Sequence, residues 1–148
     1  MVSKKKEIIG GDMREKIACE ICAGAGGLSE GLKQSGFKVK FANEINAQAA
    51  LTYKYNHPCT KVAVKDMRHL RTAEIEDAAG DNIQLLACGL PCQGFSLAGK
   101  RDLRDPRNKL FRSFLEIVQK TEPSFFLILT GLNNLSFLFF LTVLHILI

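Results

Sequence analysis

No apolar stretch follows the opening charges of Met1-Val2-Ser3-Lys4-Lys5-Lys6, so the pattern of a secretory signal is missing. No internal repeat or low-complexity linker breaks the 148 residues, a length that suits one domain with a real core. Cysteine occurs an odd number of times, five, and no second pair beside Cys19-x-x-Cys22 has metal-ligand spacing. Residues three apart in a strand face opposite ways, so a zinc site is not expected. Free thiols in a reducing cytoplasm are. The turn Gly24-x-Gly26-Gly27 lacks the third glycine of the dinucleotide fingerprint, which weighs against a nucleotide-dependent oxidoreductase. Charge is missing from one segment altogether: Pro123 to Ile148 holds no Asp, Glu, Lys or Arg.

What is present is an ordinary globular composition, 47% hydrophobic and 24% charged, with a net charge of +5. The positive charge is concentrated. Lys100, Arg101, Arg104, Arg107, Lys109 and Arg112 stand against only Asp102 and Asp105. A solvated loop is the ordinary reading of such a run. Its place just behind Pro91-Cys92-Gln93 favours contact with phosphates.

Residues 1–15 read as a disordered lead-in. Lys16 to Cys22 reads as a buried strand that runs into Ala23-Gly24-Ala25-Gly26-Gly27 and then a helix stopped at Gly36. Phe37 to Ala42 reads as a second strand, ending at Asn43-Glu44. A helix from Ala47 to Tyr55 ends at Asn56-His57-Pro58. A short strand near Val62 to Val64 leads to Lys65-Asp66, and Thr72 to Ala79 is helical up to Gly80. Ile83 to Cys88 is a fully apolar strand, Lys109 to Lys120 an amphipathic helix, and Phe125 to Leu129 a fifth strand. This alternation predicts an α/β fold with a parallel sheet and right-handed crossovers. Ligands of such sheets bind at the carboxyl ends of the strands, where the glycine turn, Glu44, Asp66 and Pro91-Cys92 all fall. A carboxylate at Glu44 suits a ribose diol. Asp66 suits an adenine amine, or simply caps a turn.

These segments together resemble the cytosine-5 DNA methyltransferase family. Glu20 to Leu28 resembles its first motif, Asn43-Glu44 its second, and Lys65-Asp66-Met67 its third. Gly89-Leu90-Pro91-Cys92-Gln93-Gly94-Phe95-Ser96 with Gly99-Lys100 resembles its catalytic motif, and Asp105 to Phe111 the next. The resemblance runs from about Lys16 to Ile128 and implies a Rossmann-like, S-adenosylmethionine-dependent methyltransferase fold. It places Ala23, Gly24, Ala25, Gly26 and Gly27 against the methionine part of the cofactor, Glu44 on the ribose, and Asp66 and Met67 on the adenine. Pro91 and Leu110 join that pocket. So do Cys22 and Ile45, which stand where the family often has Phe and Trp, so weaker ring packing is expected.

By the same resemblance Cys92 is the nucleophile. Its thiolate adds to carbon 6 of a flipped-out cytosine, and carbon 5 then takes the methyl group. Loss of the carbon 5 proton expels the thiolate, a role suited to a strong nucleophile that also leaves well. Gln93, Ser96, Lys100 and Arg107, in a basic loop from Phe95 to Arg107, are the implied contacts to double-stranded DNA. A restriction endonuclease is the implied companion of the system. Cys19 and Cys88 read as core thiols, Cys59 as a loop residue, and His57 and His69 as surface histidines.

The family pattern stops after Ile128. Glu-Asn-Val is expected next, its Glu holding the cytosine ring, and Leu129-Thr130-Gly131 stands there instead. Two accounts fit the uncharged end: a membrane helix, whose best unbroken run, Phe137 to Ile148, is short, and an out-of-frame tail. The second fits the Phe, Leu, Ile and Asn composition. On this reading 16–128 is the N-terminal part of a catalytic domain and 129–148 an apolar segment foreign to it. A non-catalytic half that needs a complementary chain is the alternative.

Overall fold

The computed structural model describes residues 15–90, 106–130 and 142–145. β1 (Lys16–Ile21), with five of six residues buried, is the centre of the sheet. Its continuous apolar run suits a strand covered on both faces. α1 (Gly27–Gln34) returns the chain to β2 (Phe37–Glu44), and α2 (Ala47–Asn56) leads to β3 (Lys61–Val64). A 3-10 turn (Met67–His69) and α3 (Thr72–Ala79) precede β4 (Leu85–Leu90). α4 (Pro106–Thr121), β5 (Phe125–Thr130) and β6 (Thr142–His145) complete the described elements.

The strand order is β3-β2-β1-β4-β5-β6. The first five strands are parallel and β6 is antiparallel to β5. The winding reverses between β1 and β4, so a crevice opens where their carboxyl ends part. The expected five-stranded parallel sheet is therefore present. Three details differ. β4 runs on through Gly89 and Leu90, which pair with Leu129 and Thr130. α4 starts at Pro106, because proline suits the first helical position. This puts Arg107 in a helix rather than in a loop. Thr142 to His145 pairs with Ile128 to Phe125 as a strand, which neither account of the tail foresees. No helix among the described residues is long and apolar enough to cross a membrane.

Helices cover both faces. On one, Ile75 of α3 and Phe114, Ile117 and Val118 of α4 pack on Cys19, Ile21, Phe41, Leu86, Cys88 and Phe126. On the other, Leu32 of α1 packs on Ala18, Val39, Leu85, Ala87 and Leu127, while Tyr53 of α2 packs on Ala23 and Ala42. Phe114 is fully buried and meets Phe126 edge-on, with ring centroids 6.1 Å apart. Phe114→Ala is expected to lower folding stability by about 3–5 kcal/mol in urea denaturation.

Candidate active site

The turn from β1 to α1 lies at the carboxyl edge of the sheet. Three of its residues have positive φ: Cys22 at 55°, Gly24 at 57° and Gly26 at 96°. Such backbone persists only when its surroundings hold it, and each end of the loop is held. The Ala23 N–H donates to the Asn43 carbonyl (2.9 Å) and the Gly26 N–H to the Ala23 carbonyl (3.0 Å). The Gly24 N–H donates to Glu44 Oε2 at 2.8 Å.

Glu44 therefore joins β2 to the glycine loop. Its other oxygen accepts from the Asn46 N–H at 2.8 Å, and the residue is 8% exposed. Each carboxylate oxygen accepts two hydrogen bonds, so both retain capacity for a ligand. Asn43 ties the same strand end to β3 by donating to the carbonyls of Ala63 (3.2 Å) and Lys65 (2.8 Å). Beside these polar groups, Ile45 is 64% exposed and Val64 43%. They offer an apolar edge against which a flat ring can lie.

Asp66 caps the 3-10 turn. It accepts from the Arg68 N–H at 2.9 Å and from the Arg68 guanidinium, which holds its carboxyl down at about 2. Met67 is buried, and its sulfur is 3.6 Å from Cys22 Sγ. Cys22 has left the strand through its positive φ, so its side chain packs on the same cluster as Cys19. The expectation that the two face opposite ways is corrected by that turn. A hydrogen bond with Cys88 holds the Cys22 thiol below its ordinary value, while burial pushes the Cys88 thiol well up. Burial also pushes Cys19 up to about 12, the state of an inert core thiol. No group of three or more possible metal ligands exists among the described residues.

Residues 18–128 match the family model of the C-5 cytosine-specific DNA methylases. The chain belongs to that family. Among bacterial relatives, the type II methyltransferase M.DdeI of Desulfomicrobium norvegicum is 38% identical over 117 residues, 79% of this chain and 28% of its own. M.AquIA of Picosynechococcus is 37% identical over 128 residues, 82% of this chain and 52% of its own. In three dimensions the chain resembles DNMT2 of Spodoptera frugiperda, with a TM-score of 0.61 and 26% identity over 80% of this chain and 36% of that one. The chain thus spans less than a third of M.DdeI and about half of M.AquIA.

The fold brings together three of the expected segments: the Cys22 to Gly27 loop meets Glu44 through the Gly24 amide and Met67 through the Cys22 sulfur. Ala25 and Gly27 are exposed at this edge. Leu110 of α4 packs half-buried on the main core, the cluster on which Cys22 also packs. Pro91, Cys92, Gln93, Ser96 and Lys100 lie outside the described residues, and β4 ends one residue before them. Arg107 is placed by its backbone alone, in the first turn of α4. At the carboxyl end of β5, Leu129 packs with the second apolar cluster.

Two buried polar groups escaped the sequence reading. His57 is 4% exposed rather than on the surface, because it lies one helical turn after Tyr53 and under its ring. The i, i+4 spacing of Tyr53 and His57 was the available signal. His69 is exposed, as expected. Glu20, a lone acid inside an apolar strand, is 1% exposed. Ser29 of α1 donates to its carboxylate, and the Ser29 hydroxyl also lies 2.5 Å from the Tyr53 hydroxyl. Burial pushes Glu20 up to about 7 and Tyr53 up to about 12.

Proposed function

We propose that the chain is the methyl-donor-binding part of a DNA cytosine-5 methyltransferase that uses S-adenosyl-L-methionine, with Cys92 as the nucleophile toward cytosine. The observation that carries this is the single carboxylate of Glu44 holding the Gly24 amide from the next strand. That bond brings a ribose acceptor and a glycine cradle to one point at the switch of the sheet. The residues fit such a cofactor. The exposed residues Ala25 and Gly27 suit the methionine part, the spare lone pairs of Glu44 the ribose, and the exposed Ile45 the adenine ring. Gly89 supports close approach here: a Cβ on it would lie 3.0 Å from the Cys22 carbonyl oxygen.

The bound cofactor supplies an electrophilic methyl group. The chain's own part is to hold it and to present Cys92, which stands two residues after the end of β4 in the sequence. Cys92 adds to carbon 6 of the cytosine, and leaves once carbon 5 has been methylated and has lost its proton. Gln93, Ser96, Lys100 and Arg107 then face double-stranded DNA whose target base is flipped out. The type II names of the relatives support a restriction–modification setting in the cytoplasm, with a restriction endonuclease as the companion activity. Leu129-Thr130, where the family has its cytosine-holding Glu, supports donor binding without methyl transfer by this chain alone. A separately encoded chain that carries the Glu would complete it.

Isothermal titration of the 148-residue chain with S-adenosyl-L-methionine and with NAD tests the reading. The methyl donor is expected to bind and NAD not to. Glu44→Ala is expected to weaken donor binding about tenfold or more, since a charged hydrogen bond contributes about 1.5–3 kcal/mol. Binding of NAD alone, or an unchanged affinity in Glu44→Ala, refutes it. Labelled methyl appearing in DNA with the chain alone refutes the claim of donor binding without transfer.

A further inference from the structure

His57 closes α2 and is buried, yet no step of methyl transfer uses it. Its ring lies against Tyr53, with centroids 4.6 Å apart and planes at 47°. Nδ1 is 3.4 Å from Lys33 Nζ, and Nε2 is 3.0 Å from the Gly26 carbonyl oxygen. An ammonium can only donate, so Nδ1 accepts, and the hydrogen left on Nε2 is donated to Gly26. The residue before it, Asn56, donates from Nδ2 to the Ala25 carbonyl at 3.4 Å. The end of α2 therefore holds two successive carbonyls of the glycine loop, while β2 holds the amides of Ala23 and Gly24. The ring also occupies the space beside Gly26. A Cβ on that glycine would lie 2.4 Å from Nε2 and 2.5 Å from Cδ2.

We propose that His57 is a positioning residue for the methyl-donor pocket. It fixes the Gly26 carbonyl, and with it the left-handed backbone that keeps the loop open to a ligand. This rests on the reading of that loop as the S-adenosyl-L-methionine cradle. His57 touches the loop and not the ligand, and Lys33 on α1 selects the tautomer that can donate.

Two variants and one control test it by titration with S-adenosyl-L-methionine. His57→Ala is expected to bind about fivefold more weakly, the effect of losing one ordinary hydrogen bond. His57→Gln, which keeps an N–H donor at a similar reach, is expected to stay within about twofold of the parent chain. Ile75→Val, in the core of the opposite face, controls for stability loss alone and is expected to bind like the parent. An affinity for His57→Ala equal to the parent's, or an equal loss in Ile75→Val, overturns the proposal. Failure of the parent chain to bind refutes the cofactor reading instead. The clamp is then decided by amide exchange without ligand. Faster exchange at Ala23, Gly24 and Gly26 in His57→Ala, with β1 unchanged, upholds it, and unchanged exchange at those amides overturns it.

Discussion

Gly26→Ala is expected to lower folding stability by about 3 kcal/mol, from two separable sources. The first is backbone: at φ 96° a residue with a Cβ is strained by about 1–2 kcal/mol. The second is packing, because the new methyl would meet the His57 ring at 2.4 Å, and overpacking a filled site costs about 1–3 kcal/mol. The ring has little room to yield, since moving it breaks its bond to the Gly26 carbonyl and its contact with Tyr53. A double-mutant cycle separates the two. Adding His57→Ala to Gly26→Ala is expected to remove the packing share and leave the backbone share, a coupling of about 1–3 kcal/mol. Urea midpoints of the parent, both single variants and the double variant measure it. Strict additivity would show that the ring and the glycine do not constrain each other. Gly24 is the internal comparison. It has φ 57° but nothing within 4 Å of an added Cβ, so Gly24→Ala should show the backbone share alone.

The contrast between those glycines shows where sequence reasoning reaches and where it stops. Alternating strands and helices specify a parallel sheet through local patterns, and β1 to β5 follow them within a few residues. The carboxyl-edge rule then collects Gly24, Glu44 and Asp66 without any knowledge of contacts. Which oxygen of Glu44 meets which amide is not local, because it depends on the packing of β2 on β1. The same holds for His57. Its helix end was legible from Asn56-His57-Pro58, but its burial comes from α2 lying over the glycine loop. Cys22 was misjudged for a different reason: strand alternation fails once φ turns positive, and the turn brings its sulfur to Met67. Arg107 moved from loop to helix because Pro106, a poor residue inside a helix, is a good one at its start. β6 has no local signal at all. Its four residues lie in an uncharged run and become a strand only by pairing with the open edge of β5.

Glu20→Gln is expected to make the protein more stable above neutral pH and to remove a pH dependence expected of the parent chain. Glu20 carries its acid into the sheet interior at 1% exposure. Burial raises it from 4.5 to about 7, against the lowering effect of the Ser29 side chain and backbone, and the charge of Glu44 adds a smaller push upward. Between those two values the folded chain binds a proton that the unfolded chain has released. The associated stability is thus complete below about pH 4.5, falls as pH rises, and is gone above about 7. A displacement of that size corresponds to about 3 kcal/mol. Glutamine keeps the shape and cannot ionise, so urea midpoints of the two proteins should nearly coincide at pH 4.5 and diverge by up to that amount at pH 8. Asp66 and Glu74 do not blur the window, because hydrogen bonds from Arg68 and Lys65 hold them at about 2, and they titrate below it. Parallel pH profiles for the two proteins would mean that Glu20 stays ionised in the folded chain. The group is linked through Ser29 to Tyr53 and from its ring to His57. Its protonated state is therefore the one in which α1, α2 and the loop pack together at least cost.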